Sequence, residues 1–175
     1  YANLKVLHHE VNQGKGAALR TGFAAALGDM VIIQDADLEY DPNDYIPMVQ
    51  ALQGRRGDVI YGSRYLGRGR HANQSLAAYL GGRSLSLVAL LFTGRYLTDT
   101  VTAYKLFRRT DLAGLTLETS GFELDHEITA RLLARGLRIA EVPISYHPRS
   151  REEGKKIGPK DWFIAIRTFA RFRNG

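Results

Sequence analysis

The chain has no cysteine, so a disulfide-stapled scaffold, a thiolate zinc site and a cysteine nucleophile are all excluded. No run reaches the roughly 20 apolar residues that span a bilayer, and the first residues do not read as a signal peptide. Three further signatures are missing. There is no G-x-x-x-x-G-K-[ST], no G-x-G-x-x-G behind a strand and no G-x-S-x-G. A P-loop, a dinucleotide-binding Rossmann domain and Ser/His/Asp catalysis therefore have no support. The five histidines show no metal-ligand spacing, and His126 reads as a packing or hydrogen-bonding residue. The basic residues are dispersed and carry no recognition motif, which argues against nucleic acid as a partner.

What is present is an ordinary globular composition. At 175 residues, 45% apolar and 24% charged, the chain is long enough for one domain with a real core. Its formal charge of +6 points to an anionic partner. Strands are expected at 4–7, 30–34, 58–61, 103–107 and 139–146. Between them fall helices at 17–27, 42–52, 75–92, 108–115, 122–134 and 161–173, the third interrupted by Gly81-Gly82. Gly-rich or basic loops fill 65–74 and 148–160. This alternation predicts an α/β fold, a mostly parallel sheet flanked by helices.

The most informative stretch is Val31-Ile32-Ile33-Gln34-Asp35-Ala36-Asp37-Leu38-Glu39. An apolar β-branched run reads as a strand buried on both faces, and acids follow it at every second position. On extended backbone, Asp35 and Asp37 would present carboxylates to one spot, just beyond the strand end where open α/β sheets bind ligands. Paired carboxylates there call for a hard cation, Mg²⁺ or Mn²⁺. An acidic strand-to-helix turn that merely caps the next helix is the competing reading. Gly14-Lys15-Gly16 opens a helix whose N-terminal N–H groups and lysine suit phosphate, or else forms a plain turn. Asp41-Pro42 is a cap and first-turn pair.

Several stretches together carry a family resemblance. Asn12-Gln13-Gly14-Lys15-Gly16-Ala17-Ala18-Leu19-Arg20, Gln34-Asp35-Ala36-Asp37-Leu38-Glu39-Tyr40-Asp41-Pro42, Tyr61-Gly62-Ser63-Arg64 and Glu141-Val142-Pro143-Ile144-Ser145-Tyr146 resemble the family 2 glycosyltransferases. Within that family the pattern is most similar to the dolichol-phosphate mannosyltransferase-like, polyprenyl-phosphate sugar transferases. Glu153-Gly154-Lys155-Lys156-Ile157 fits the same group. The resemblance implies a GT-A-type, Rossmann-like sheet and one catalytic domain over 1–175. It also implies a nucleotide-diphosphate sugar donor of the GDP-mannose or UDP-glucose type, Mg²⁺ or Mn²⁺, and inversion at the anomeric carbon. The family's opening strand-turn-helix unit, of the V-I-P-x-Y-N-E type, is not found, so the domain is expected to be incomplete at its N-terminus.

The resemblance also distributes roles. Asp35, Asp37 and Glu39 would hold the metal, with Ala36 between them. Gly14, Lys15 and Gly16, and the loop residues Arg149, Lys155 and Lys156, would meet the donor diphosphate. Arg64 and Arg83, with Ser84 nearby, would clamp the phosphate of a polyprenyl-phosphate acceptor. Such an acceptor is already ionised and needs no base; for a hydroxyl acceptor, Asp125 or Glu127 would be the base. Asp99 would orient the loop or the sugar. A non-catalytic nucleotide or lipid-phosphate binding module is the third reading. In the last helix, Trp162, Phe163, Ile166, Phe169 and Ala170 share a face beside a stripe of Arg167, Arg171 and Asn174. That pattern suits an anionic membrane surface on the cytoplasmic side, or a lid on the core.

Overall fold

The computed structural model describes residues 3–67, 71, 74–148 and 159–174. Its elements are, in chain order, α1 (Lys15–Ala25), β1 (Met30–Ile32), α2 (Tyr45–Gln53, entered through a 3-10 turn at Pro42–Asp44) and β2 (Val59–Ser63). These are followed by α3 (Leu76–Thr93), β3 (Lys105–Arg108), α4 (Arg109–Ala113), α5 (Leu124–Ala134), β4 (Ile139–Pro143) and α6 (Pro159–Phe172). The strands form one sheet in the order β1-β3-β2-β4. β2 and β4 pair in parallel, while β3 runs antiparallel to both its neighbours. β1, β2 and β4 therefore point the same way, but with β3 between them two of the three ladders are antiparallel, so the sheet is mixed rather than the mostly parallel one expected.

Period-two alternation sorts the core. In β2, every residue is buried. Val59 and Tyr61 face a cluster with Phe107, Leu124, Ile128 and Leu132, while Ile60 faces Met48, Leu52, Tyr104 and Val142 on the other side. A third cluster of Ala89, Ala130, Phe169 and Phe172 joins α3, α5 and α6. The cap at Asp41 forms as expected: its carboxylate accepts from the Asn43 N–H at 2.9 Å, with Pro42 next. Ser75 caps α3 by accepting from the Ala78 N–H at 3.2 Å, and Gly94 ends it with φ 69.

Four further expectations are corrected. Residues 4–7 join no described strand and stay exposed, because a short apolar run is a strand only when a ladder takes its backbone. Gly81-Gly82 does not break α3. Each glycine costs about 1 kcal/mol against alanine, but a side chain at Gly82 would stand 3.2 Å from the Tyr65 hydroxyl. β1 stops at Ile32 instead of running to Gln34, which matters for the site.

The fourth correction concerns the surface. α6 turns Ala165, Thr168, Phe169 and Phe172 inward. Its Arg171 is tied to Glu118 at 2.5 Å, so one face of this helix covers the core, while Phe163 and Ile164 stay exposed. A second exposed apolar face lies on α3. Only Ser86 and Ala89 of that helix are buried, while Leu76, Leu80, Leu87 and Leu91 form an exposed stripe. At 18 residues α3 is long and apolar enough, by length and composition, to cross a membrane. The sequence conceals this, because Arg83 and the two glycines interrupt the run.

Candidate active site

Because β1, β2 and β4 are codirectional, their carboxyl ends share one edge, and the reversed β3 brings the segment before it to the same edge. There, Ile33 is buried and its N–H continues the ladder to the Lys105 carbonyl at 3.2 Å. Gln34 then anchors the turn. Its side-chain oxygen accepts from the hydroxyls of Tyr45 and Tyr104, each at 2.6 Å, and its amide donates to the Asp35 carbonyl at 2.6 Å.

From here the backbone is not extended. Ala36 and Asp37 form a turn, and Leu38 sits at φ 61, a left-handed conformation uncommon for a γ-branched side chain and typical of functional turns. The Glu39 N–H donates to Asp37 Oδ1 at 3.3 Å. The expected strand geometry for the acidic triplet is thus replaced by a local Asx-type turn. Glu39 is buried, and its carbonyl accepts the His147 N–H at 2.8 Å. Among the described residues no group of three acidic or imidazole side chains is gathered to hold a metal. Glu39 is therefore not brought to Asp35 and Asp37 as a third ligand. What remains at the edge is two partly exposed aspartates. Hard oxygen donors in that number fit Mg²⁺ or Mn²⁺, which accept one or two carboxylates and fill their shells with substrate phosphate and water.

Lys15 reaches this edge from α1. Its ammonium lies 3.0 Å from Asp35 Oδ2 and 3.3 Å from Asp125 Oδ2. The flanking glycines explain how. The Gly16 N–H donates to the Ser120 carbonyl at 2.7 Å and the Ala17 N–H to the same oxygen at 3.3 Å. A Cβ at Gly14 would lie 2.4 Å from that oxygen, and one at Gly16 2.8 Å from the Thr119 carbonyl. The glycines let the start of α1 press onto the 119–121 backbone and aim Lys15. The Gly14, Gly16 and Ala17 N–H groups already have partners, so in this structure Gly14 and Gly16 pack against the 119–121 backbone and the Lys15 side chain faces the edge.

Asp125 is buried at the start of α5. Besides Lys15 it accepts from Lys105 Nζ at 2.7 Å. Lys105 is fully buried and points into the same layer as Phe107, two residues on. It lies 5.1 Å from the Tyr61 ring centroid, and its ammonium also donates to the Thr102 carbonyl at 2.5 Å. Burial alone would raise the Asp125 carboxyl, but the ammonium groups of Lys105 and Lys15 outweigh it and hold it below the usual range. A carboxylate so held is a weak base. Glu127 is engaged too: it accepts from the Glu118 and Thr119 N–H groups, the Thr119 hydroxyl and Arg131. Burial works against its charge, yet these donors keep it below the ordinary value. Neither acid is free to take a proton from a hydroxyl.

The two arginines do converge, on one segment. Arg64 is 8% exposed and forms a forked pair with Asp99, Nε to Oδ2 at 2.6 Å and Nη2 to Oδ1 at 2.8 Å. Its guanidinium is flanked by the rings of Tyr65 and Tyr146 at 5.3 and 5.0 Å. Glu141 organises the loop below, accepting from the Thr98 N–H and hydroxyl, both at 2.8 Å, and the Asp99 N–H at 2.9 Å. Arg64, expected to clamp acceptor phosphate, is thus committed to Asp99, and Asp99 to Arg64. Arg83 is partly exposed, donating to the Thr98 carbonyl at 2.9 Å and the Tyr96 hydroxyl at 2.5 Å. Ser84 accepts from Trp162 Nε1 at 2.9 Å. Arg149, Lys155 and Lys156 lie outside the described residues. Sequence reasoning missed Lys105, Gln34 and the capping role of Glu141. The one legible signal was a lysine inside the apolar strand run Ala103-Tyr104-Lys105-Leu106-Phe107.

An α/β sheet with an acidic turn at the carboxyl edge of β1 defines a GT-A glycosyltransferase fold. Glucosyl-3-phosphoglycerate synthase from Mycobacterium tuberculosis, in complex with UDP, superposes with a TM-score of 0.66 at 21% identity. The match covers 91% of this chain and 55% of that one. The same enzyme with Mn²⁺, UDP-glucose and glycerol 3-phosphate gives a TM-score of 0.58 at 22% identity, over 80% and 49% of the two chains. Residues 1–113 match Glycosyl transferase family 2, and the chain belongs to that family. It is 29% identical over 162 residues to an undecaprenyl-phosphate mannosyltransferase of Micrococcus luteus, covering 89% of this chain and 66% of that protein. It is also 27% identical over 157 residues to a dolichol-phosphate mannosyltransferase of Pyrococcus furiosus, covering 89% and 44%. The chain thus spans between about half and two thirds of the length of these relatives.

Proposed function

We propose that the full-length protein transfers a hexose, with inversion, from a nucleotide-diphosphate sugar to a polyprenyl phosphate. The observation that carries the choice of acceptor is the state of the two candidate bases. Asp125 is paired with two lysines and Glu127 is engaged by four donors, so neither of the two candidate bases is poised for a hydroxyl acceptor. A phosphate oxygen needs none; it needs position and charge neutralisation. The names of the mannosyltransferase relatives support the same reading.

Asp35 and Asp37 would hold Mg²⁺ or Mn²⁺ against the donor diphosphate, and their carboxylate chemistry fits such an ion. When bound, the ion supplies Lewis-acid stabilisation of the departing nucleoside diphosphate. Among the described residues, Arg83 of α3, partly exposed beside Tyr96, would meet the acceptor phosphate, while Arg64 and Asp99 hold the neighbouring loop at Thr98 to which it bonds. The exposed leucines of α3 suit the surface of an anionic membrane, on which a lipid-linked acceptor presents its head.

The test incubates the full-length protein with Mn²⁺ and labelled GDP-mannose or UDP-glucose, with and without undecaprenyl phosphate. Labelled glycolipid is expected. Transfer only to sugar hydroxyls would overturn the acceptor, and nucleotide binding without turnover would favour a non-catalytic module.

A further inference from the structure

Lys15 is the only described partner of the Asp35 carboxylate, and it stands where a divalent ion on that carboxylate would place its own charge. We infer that Lys15 is a place-holding cation: it satisfies Asp35 while the site is empty and makes divalent-metal binding depend on a nucleotide diphosphate arriving with the metal. This rests on the metal reading above and assigns it a gate.

The argument is one of charge. Two ammonium groups, Lys15 and Lys105, face two carboxylates, Asp35 and Asp125. These four groups balance and are mostly shielded from water, and Asp37, the second aspartate of the turn, adds one negative charge against the two that a divalent ion brings. Asp125 keeps Lys105 as its own counter-ion at 2.7 Å, so it does not need Lys15. Asp35 has no other partner among the described residues. A divalent ion binding alone at Asp35 would add two positive charges within a few ångströms of Lys15, in a setting where water screens them weakly. A nucleoside diphosphate brings compensating negative charge, and gives the displaced Lys15 ammonium an oxygen to bond. The backbone supports the same role. The close seating of Gly14 and Gly16 on residues 119–121 fixes the root of Lys15 at the edge.

The experiment measures Mn²⁺ affinity in the full-length protein, by the free-ion EPR signal, alone and with UDP or GDP. The native protein is expected to bind Mn²⁺ weakly alone and much more tightly with one of the nucleotides. Lys15→Met keeps the stem and removes the charge, and is expected to tighten Mn²⁺ binding without nucleotide by roughly ten-fold or more. Reciprocally, the nucleotide should improve Mn²⁺ binding less in the variant than in the native protein. Native protein that binds Mn²⁺ equally well with and without nucleotide overturns the gate and leaves the metal reading standing. So does a folded Lys15→Met with unchanged affinity. Absence of Mn²⁺ binding under every condition overturns both. If Lys15→Met fails to fold, Lys15→Gln, which keeps part of the stem and removes the charge, takes its place; it is expected to tighten nucleotide-free Mn²⁺ binding in the same way, and unchanged affinity overturns the gate.

Discussion

Replacing Asp99 by Asn tests whether Arg64 is a structural or a ligand-binding residue. The wild-type pair is forked, nearly sealed from water and capped from beneath by Glu141. Removing one partner of such a pair costs about 3–5 kcal/mol, because a buried charge is left uncompensated. The asparagine keeps one oxygen acceptor, and the rings of Tyr65 and Tyr146 still flank the guanidinium, so the lower end, about 3 kcal/mol, is expected. At a urea slope of about 2 kcal/mol/M the unfolding midpoint should fall by about 1.5 M, read by far-UV circular dichroism. Arg64→Lys should lose less, since charge survives and the fork does not. An Asp99→Asn midpoint within about 0.3 M of native at an unchanged slope would refute the reasoning and return Arg64 to the acceptor phosphate.

Gly16→Ala should lower the melting temperature, since its Cβ meets the backbone of Thr119 and Ser120 at 2.8 Å, an overpacking cost of about 1–3 kcal/mol. Gly22→Ala in the same helix meets nothing within 4 Å and should stabilise by about 0.5–1 kcal/mol; equal effects from the two would refute the packing role. Asp125 and Glu127 both titrate below their ordinary values of 3.8 and 4.5. Their stabilisation is therefore present above those values and lost as pH falls through the depressed folded ones. Urea midpoints should drop steeply on the acid side, and Glu127→Gln should flatten that drop; an unchanged pH profile would count against the carboxylate's role. Leu87→Asp with Leu91→Asp should leave melting unchanged, as both side chains are exposed, while abolishing co-sedimentation with anionic vesicles. Unaltered sedimentation would remove α3 from the membrane surface.

The elements were legible where pattern and burial agree. The Val59–Ser63 strand, the Asp41-Pro42 start and α5 follow from runs, caps and stops that are local in sequence. The apolar run before Asp35 located the edge, and the family motifs located the acids and arginines around it. Geometry at the edge was not legible, because it depends on partners far along the chain. The turn at Asp37 is set by Gln34 bonding to Tyr45 and Tyr104, 11 and 70 residues away. Arg64 is committed by Asp99, 35 residues on, and Lys15 by Asp125, 110 residues on. A motif names a residue type at a position. Whether that side chain faces a ligand or an internal counter-ion is decided by tertiary pairing, which spacing does not encode. The last helix shows the same limit: its amphipathic pattern fits lipid and core equally, and only tertiary packing shows that Phe169 and Phe172 go to Ala89 and Ala130 while Phe163 stays exposed.

The central claim is that the acidic turn after β1 carries divalent-dependent transfer to a lipid phosphate. Its most direct test is glycolipid formation by full-length Asp35→Asn and Asp37→Asn, each shown folded by its melting curve, over a Mn²⁺ titration. The account predicts that metal-stripped native protein is inactive and recovers with Mn²⁺ or Mg²⁺. Each variant should stay below native by about a hundred-fold or more at saturating metal, the scale of about 2.7 kcal/mol of lost transition-state stabilisation. Native-like transfer by Asp37→Asn at saturating metal, or by native protein held in EDTA, would contradict it.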